Sequence, residues 1–499
     1  TSFGKHDIDA TGGMQFQNSS SRYSFTEGLD FPSDSYRKIA SAATKSGGSS
    51  SRSDFSFLSY FLRPNYKFND KYLLSASIRR DASSRFGANS RWGTFPSVSA
   101  GWVISNENFA RSFKAVSFLK LRASYGQVGN AEIGNFPQLG LFTGDAGYAG
   151  NAGQRPSQIA NPDLRWETTT QTDIGIDFGL FNNRVTGEID YYYKKTSGLL
   201  LAVNVPATSG FSTQVRNVGS LENRGFEFVL NTQNLIGKFK WSTSFNIAYN
   251  RGKVLDIRGQ VITGGIQQMN RVMEGQPVGV FYGVEWGGVD PANGDALFVK
   301  NTVGANGQID KGKVNSSGYN SAARVVMGDP NPDYIFGITN NFSYKGFDLS
   351  VFMNGVSGNQ INIYGMGRYS SANFRFEDNQ TADQLAAWTT PGQITNVPQA
   401  RWLFNNGAQV SSRYIVNGSF LRLRTVTLGY NVPAKFLSKL KIERLRIYAS
   451  AMNLLTFTDY PYWDPEVNSD TFDSNISKGN DFYTPPQPRT ILFGVNIGL

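Results

Sequence analysis

Few side chains of this sequence could perform metal or nucleophilic chemistry. The 499 residues include no cysteine and a single histidine, His6. Thiolate metal sites, disulfides and histidine-based triads are therefore not expected, because each needs residues that the sequence lacks. His6 lies in a polar, strand-like stretch, and we expect no functional role for it.

Oxygen-rich loop residues are the closest approach to a metal site. Asp290, Asn293 and Asp295 fall in a glycine-containing segment, and residues 306–310 have a similar composition. Calcium prefers about six to eight oxygen ligands, and its helix–loop–helix site ends in a bidentate glutamate. The corresponding position here is Asn301. We therefore favour an Asx turn, with calcium as the alternative and no other cofactor expected.

A pair of carboxylates can hydrolyse glycosidic bonds when the two groups flank a cleft. Asp464 and Glu466 lie close together on one predicted loop, and two acids on one loop do not make a cleft. We therefore predict that the chain is not an enzyme. Residues 47–52 are rich in glycine and serine and lack the lysine spacing of a phosphate-binding loop, so we interpret them as a flexible loop.

Aromatic side chains in the predicted loops are better candidates for binding. Their faces can stack on sugar rings or anchor a partner protein, and packing among the loops themselves is the alternative. The candidate residues for substrate or partner contact are Trp286, Tyr364, Phe374, Trp402, Tyr460, Tyr462 and Trp463.

The charge balance is basic but carries no nucleic-acid signature. Lysine and arginine number 48 against 38 acids, which gives a net charge of +10. These residues are scattered, without a basic block or a helix that could enter a groove, so no nucleic-acid partner is expected. We interpret the excess as solvated loops and as attraction to anionic lipid headgroups.

Alternating apolar residues predict that β-strands carry these loops. Over residues 489–499 one face holds only apolar side chains, and the other holds small or polar ones with one exception. The same period recurs over residues 174–194, where Asp177, Glu188 and Asp190 lie on the polar face. Such strands suit a boundary between lipid and a wet interior, and a strand of a soluble sandwich is the alternative.

About 14 segments have the length of a barrel strand. Short connections, including tight turns at Asn182 and Asn183 and at Lys345 and Gly346, alternate with long ones. This sorting predicts an all-β fold, a transmembrane antiparallel barrel with long extracellular loops and aromatic girdles near the strand ends. The longest apolar run is about five residues, so no transmembrane helix is predicted. The predicted strands are residues 5–18, 54–68, 71–84, 93–105, 119–129, 167–181, 184–195, 223–235, 239–251, 334–344, 347–356, 419–432, 442–456 and 489–499. The predicted long loops are residues 19–53, 130–166, 196–222, 252–333, 357–418 and 457–488.

Several segments resemble the SusC/RagA family of TonB-dependent outer-membrane transporters. They occur in the family's order from about residue 54 to the end, at residues 60–87, 92–102, 119–130, 161–168, 223–228, 344–350 and 464–466. The resemblance implies a plug domain followed by a barrel of about 22 strands. Residues 1–499 would be its C-terminal portion, with the plug and the first strands absent. We expect the first and last strands to need partner strands from another segment or chain, because unpaired edges are costly in lipid.

The resemblance also implies function and partners. A SusD-like surface lipoprotein would act as a lid on the long loops, and the TonB–ExbB–ExbD complex would act through the absent N-terminal region. The expected function is import of oligosaccharides or peptides across the outer membrane, and the expected assembly is a dimer of transporter–lid pairs. One alternative is a structural barrel subunit of a larger outer-membrane complex without import activity. A secreted carbohydrate-binding module, soluble without detergent, is the other.

Overall fold

The computed structural model describes residues 1–370, 379–401, 405–437, 442–469 and 476–498, most of them in β-strands. Fifteen of these strands form the largest sheet. They are β1 Ser2–Phe3, β2 His6–Leu29, β3 Thr44–Phe68, β4 Tyr72–Ser83, β5 Trp92–Val103, β6 Val116–Asn130, β7 Glu167–Leu180, β8 Val185–Ser197, β9 Ser220–Ile236, β10 Phe239–Asp256, β11 Tyr334–Tyr344, β12 Phe347–Ser357, β13 Phe420–Asn431, β14 Arg444–Thr458 and β15 Thr490–Gly498.

The connections contain shorter elements. Their strands are Leu141–Thr143, Arg155–Gln158, Leu200–Asn204, Thr213–Asn217, Ile262–Gly264, Asn270–Val272, Val280–Val284, Trp286–Val289, Ala296–Val299, Thr302–Val303, Ile309–Asp310, Lys313–Asn315, Arg324–Gly328, Gln360–Ile363, Ile415–Asn417 and Asn480–Asp481. Short 3₁₀ segments are Ile39–Ser41, Ile104–Asn106, Phe109–Ser112, Ala207–Ser209, Ile266–Gln268, Ser316–Ser321, Ala382–Ala386 and Ser412–Tyr414. A π-turn covers Tyr364–Tyr369, and an α-helical turn covers Ala434–Leu437. Among the described residues, no helix has the length and apolar character needed to cross a bilayer.

The chain divides into two compact units. The first comprises Thr1–Asn106, Arg122–Asp173 and Lys194–Ser220, and the second Glu107–Leu121, Ile174–Tyr193 and Leu221–Leu499. In the first unit, β1 to β5 pair in chain order, each antiparallel to the next. In the second, β10 to β15 do the same. Each of the predicted strands overlaps one of β2 to β15.

The hairpin of β2 and β3 is longer than the sequence predicts. The ladder continues from His6 opposite Phe68 to Leu29 opposite Thr44, with a register shift between Glu27 and Gly28 that leaves Ser46 of β3 unpaired. The prediction of a loop over residues 19–53 is therefore wrong for most of its length, and the flexible loop assigned to residues 47–52 is a strand. Backbone groups alone form the ladder, so a serine- and glycine-rich sequence can extend it while its side chains stay in water.

Two tight turns confirm the predicted hairpin ends. Asn182 and Asn183 adopt φ values of 56° and 60°, and Lys345 and Gly346 adopt 47° and 88°. Consecutive positive φ values match the right-handed twist of the strands that such a turn joins. Asparagine and glycine tolerate this backbone region better than other residues do.

Side chains of the second unit confirm the predicted alternation. Phe493 of β15 is 81% exposed, and Val495 lies beside the exposed Ile447 of β14. On the opposite face of β14, Arg446 forms an ion pair with Asp348 of β12, with 2.5 Å between Nη2 and Oδ2. One face of these strands is therefore apolar and open, while the other is polar.

The first unit shows the same division. Met14 and Phe16 of β2 are 63% and 65% exposed, and Leu74 of β4 is exposed as well. On the other face, Lys67 of β3 lies 2.9 Å from Asp7 of β2 (Nζ to Oδ2). Because burial in a protein core would hide these apolar residues, their exposure supports contact with lipid.

Aromatic residues meet near strand ends, as the predicted girdles require. The rings of Phe68 and Tyr72 stack with centroids 6.3 Å apart in the first unit. In the second, the rings of Phe347 and Tyr430 lie 4.5 Å apart. Rings with an apolar body and a polar edge are favoured where hydrocarbon meets headgroups.

An arginine placed on one face of β13 should destabilise the protein far more than an arginine placed on the other face. Val426 lies between Val351 and Ala451 on the apolar face, whereas Thr427 contacts Ser450 on the polar face. We expect Val426→Arg to destabilise the protein in lipid by about 2–4 kcal/mol, since it places a guanidinium in hydrocarbon. The matched variant Thr427→Arg should cost far less. Urea titration of reconstituted protein, read by heat-modifiable gel mobility, measures both, and equal costs would contradict the assignment of faces.

Candidate functional site

Two arginines of β13 anchor the loop that follows β14. Arg422, which is 1% exposed, donates through Nη2 to Asp464. Arg424 donates to both carboxylate oxygens of Glu466, at 2.6 and 2.7 Å. Both bonds come from one nitrogen, Nη2, and bonds between two charged groups are stronger than those between neutral ones. Asp464 and Glu466 therefore attach the loop to the sheet.

A strand irregularity aims Arg424 at this loop. The register of β13 against β14 shifts between Leu423 and Thr425, which leaves Arg424 outside the ladder. Arg424 also donates to Asn354 at 3.1 Å and to Asn453 at 3.0 Å. Bulges re-aim side chains at functional edges of sheets. The alternation rule used on the sequence contains no signal for such a bulge, so this role of Arg424 was missed.

Asp464 is held as an anion by several donors. Burial acts to raise its pKa, but hydrogen bonds from Arg422 and from the amides of Glu466 and Gln487 outweigh burial and hold the pKa of Asp464 below its usual value. The two amide bonds measure 2.9 and 3.0 Å. The ionised form is therefore favoured in the folded protein.

Three buried asparagines join the long loops. Asn270, Asn362 and Asn480 are each 0% exposed. Asn480 donates to Asn270 at 2.8 Å, and Asn362 donates to Asn480 at 2.9 Å. These residues come from the predicted loops 252–333, 357–418 and 457–488, so side-chain amides tie three connections together. Single asparagines in loops carry no periodic signal, so the sequence alone does not predict this contact.

The predicted aromatic candidates differ in accessibility. Trp463 is 55% exposed, Trp286 and Tyr462 are half-buried, and Tyr364 and Tyr460 are buried. Phe374 and Trp402 lie outside the described residues. Tyr460 and Tyr462 come together in one cluster, with ring centroids 6.2 Å apart. Tyr364 packs elsewhere, against Tyr369 and Phe482.

Two of these tyrosines serve as internal supports. Burial, followed by a hydrogen bond to Asp481, raises the pKa of Tyr460 well above its usual value. Burial and the hydrogen bond with Tyr369 raise the pKa of Tyr364 to about 12. Trp286 lies against the guanidinium of Arg413, 5.1 Å from the ring centroid. Buried hydroxyls with protein partners hold the loops in place and are not open to a ligand.

Residues 290–295 form a turn between the strands Trp286–Val289 and Ala296–Val299. Asp290 Oδ1 accepts from the amide of Ala292, and Asn293 Oδ1 accepts from the amide of Asp295, both at 2.9 Å. Asp295 Oδ1 lies 2.6 Å from Arg401 Nη1. In the described part of the chain, no three His, Cys, Asp or Glu residues cluster as metal ligands. These hydrogen bonds are those of an Asx turn.

Removing Arg422 should loosen the loop that it anchors. Arg422→Met leaves Asp464 buried without its cation. We expect the free energy of unfolding to fall by about 3–5 kcal/mol. Arg251→Met is the matched control, because that guanidinium is 45% exposed where it pairs with Asp333. Its loss should cost only about 0–1 kcal/mol. Urea-dependent proteolysis within residues 457–488 reports the difference, and equal sensitivity of the two variants would refute the anchoring role.

The anchor should weaken in acid. The pKa of Asp464 is lower in the folded state than its ordinary value of 3.8. The ionised carboxylate therefore stabilises the folded loop above that pH value. The contribution is lost as the pH falls through the folded-state pKa. We expect proteolysis of the loop to increase below about pH 4 in the wild type. Asp464→Asn should remove that part of the pH dependence, and an unchanged profile would show that another group controls it.

Comparison with known proteins identifies the family. A family model described as TonB dependent receptor-like, beta-barrel matches residues 1–454. TonB-dependent receptor P3 of Formosa agariphila is 34% identical over 519 residues, covering 99% of this chain and 51% of the relative. TonB-dependent receptor SusC of Bacteroides thetaiotaomicron is 31% identical over 527 residues, covering 99% of this chain and 49% of the relative.

The fold is also found in a solved transporter. The structure of the RagAB peptide transporter matches with a TM-score of 0.87 at 28% identity, covering 99% of this chain and 53% of that chain. The chain spans about half the length of the curated relatives that it matches. These matches confirm the resemblance to SusC and RagA and the all-β barrel class. The chain belongs to the TonB-dependent receptor-like β-barrel family of outer-membrane proteins.

Proposed function

We propose that this chain supplies the C-terminal barrel strands and loops of a SusC-type importer. The observation that carries the proposal is similarity over nearly the whole chain, both to SusC in sequence and to the RagAB peptide transporter in structure. Such an importer would move oligosaccharides or peptides across the outer membrane with energy from the TonB–ExbB–ExbD complex. A plug and further strands, to a total of about 22, would come from the rest of the protein.

The polar strand faces support passage of hydrated cargo. Behind the apolar face, Arg446 and Asp348 pair on β14 and β12, and Lys120 and Asp177 pair at 3.0 Å on β6 and β7. Charged and amide groups on this face keep water beside the strands, and hydrated oligomers can exchange hydrogen bonds with them. A dry core would not tolerate so many ionised groups.

The loops would receive cargo and a SusD-like lipoprotein lid. Trp463 offers the most open aromatic surface among the candidates that the structure describes, and Trp286 and Tyr462 offer less. We assign contact with cargo or lid to these three and to Phe374 and Trp402. Tyr364 and Tyr460, which are buried, would hold the loops in position without contacting the cargo or the lid. Two transporter–lid pairs would assemble as a dimer, surrounded by outer-membrane lipid and lipopolysaccharide.

Uptake by living cells tests the proposal. The full-length protein is expressed with a SusD-like lipoprotein in a strain that lacks its own copy, and uptake of fluorescent oligosaccharides and peptides is followed. We expect saturable uptake of one class that disappears when TonB is disrupted. A stable outer-membrane complex without uptake of either class would instead support the structural-subunit alternative.

A variant of the open tryptophan tests the role of the loops. Trp463→Ala should raise the substrate concentration that gives half-maximal uptake by about fivefold or more, as expected when a binding aromatic is truncated. Tyr148→Ala is the control, since that side chain is 86% exposed and lies outside the candidate set. Equal uptake by both variants would remove Trp463 from the binding surface.

A further inference from the structure

Three arginines line a cavity among the loops of the second unit. The cavity has a volume of about 320 Å³, and Arg271, Arg324 and Arg368 contribute to its wall. Amides of Gln267, Gln268, Asn405 and Gln409 and the rings of Tyr282 and Tyr319 complete most of the lining. No Asp or Glu belongs to this described lining. The wall is therefore rich in hydrogen-bond donors and in positive charge.

Arg271 and Arg324 place two like charges at one cavity. Arg271 is half-buried, and its Nη1 donates to the backbone carbonyl oxygens of Gln268 and Asn270. Neither Arg271 nor Arg324 forms an ion pair with a carboxylate among the described residues. Burial and the charge of Arg324 lower the pKa of Arg271, which reflects repulsion between the two groups. An anion between them would relieve that repulsion.

The third arginine is held rigidly in the wall. Arg368 is 9% exposed, donates through Nη1 to the hydroxyl of Tyr364 at 2.7 Å, and donates through Nε to the carbonyl of Ala408. The Cζ atom of Arg368 lies 5.0 Å from the centroid of the Tyr364 ring. A guanidinium fixed in this way loses little freedom when it meets a ligand.

The backbone beside Arg271 is also unusual. Gln267 and Gln268 adopt φ values of 54° and 55°, although neither is glycine. Side chains larger than glycine pay free energy in this region, and such residues concentrate at ligand sites. Here the turn brings the Gln268 carbonyl to Arg271 and both glutamine side chains to the cavity wall.

We propose that this arginine cavity binds a carboxylate carried by the imported oligomer, either on an acidic sugar or on a peptide. The inference rests on the proposed function and narrows its substrate class to anionic cargo. Planar guanidinium groups match the two oxygens of a carboxylate, and neighbouring amides can donate to the same group. A volume of about 320 Å³ accommodates one end or branch of an oligomer rather than its full length.

Matched pairs of probes isolate the charge. Purified full-length protein in detergent is titrated with oligogalacturonate and its methyl ester, and with a glutamate-containing peptide and the same peptide carrying glutamine. We expect one acidic probe to bind at least about tenfold more tightly than its neutral partner, since hydrogen bonds to charged groups are the strong ones. The pair that shows the difference identifies the source of the carboxylate. Equal binding within both pairs, or no binding of either acidic probe, would overturn the proposal.

Variants then locate the effect. R271Q and R324Q should each weaken the acidic probe about tenfold or more while leaving the neutral probe unchanged. R258Q is the control with the same change in net charge, because that side chain is 74% exposed and does not line the cavity. R271K retains charge without the planar fork, and we expect an intermediate loss. Heat-modifiable gel mobility reports folding of each variant, and unchanged acidic binding in both folded glutamine variants would refute the site.

The two proposals fail in different ways. If the wild type binds an acidic probe and the variants do not, yet cells import none of the probes, then import is refuted and the carboxylate site stands. If cells import acidic and neutral oligomers equally well, with or without R271Q and R324Q, then the carboxylate site is refuted and import stands.

Discussion

The structure depends on a single constraint: every strand must pair its backbone while presenting opposite chemistry on its two faces. In hydrocarbon an unpaired backbone amide or carbonyl costs several kcal/mol, so spanning segments form continuous ladders. The antiparallel registers of β10 to β15 satisfy this requirement, and their apolar side chains remain outside. The ion pair of Arg446 with Asp348 is stable on the other face because water can reach it.

Polar chemistry of the loops depends on the same sheet. Arg422 and Arg424 begin on β13, and they attach the loop after β14 through Asp464 and Glu466. The buried asparagines bind the loops to one another rather than to the sheet. The result is a set of long connections with internal hydrogen bonds, which can keep aromatic and arginine side chains in fixed positions. Pre-organisation of this kind reduces the entropy lost when a ligand binds.

Strand positions could be predicted from the sequence because alternation is a local property. A period of two appears in the composition of each segment, and the asparagine and glycine turns mark where hairpins close. The continuation of β2 to Leu29 could not be predicted in this way. Its serine-rich sequence does not continue the apolar face of Met14 and Phe16, and the ladder is held by pairing with residues 44–53, a contact between distant positions.

The site was less predictable than the fold for a related reason. Tyrosine is a residue type that often binds ligands or partners, which made Tyr364 and Tyr460 candidates. Their burial, however, results from packing between loops that are distant in the sequence. The cavity of Arg271, Arg324 and Arg368 likewise draws on separate connections, and the scattered arginines gave no sequence signal. Family resemblance supplied the transporter class, whereas the geometry supplied the particular groups that could meet cargo.

Cysteine scanning of β15 in lipid vesicles tests the central claim most directly, and residues 1–499 contribute no competing thiol. Single cysteines are placed in turn at residues 491 to 496 of the full-length protein and exposed to a charged, water-soluble maleimide and to a lipid-soluble one. Positions 491, 493 and 495 should react with the lipid-soluble reagent alone, and positions 494 and 496 with the charged reagent. Labelling that does not alternate, or that is equal for both reagents along the strand, would contradict the assignment of one face to lipid and the other to water.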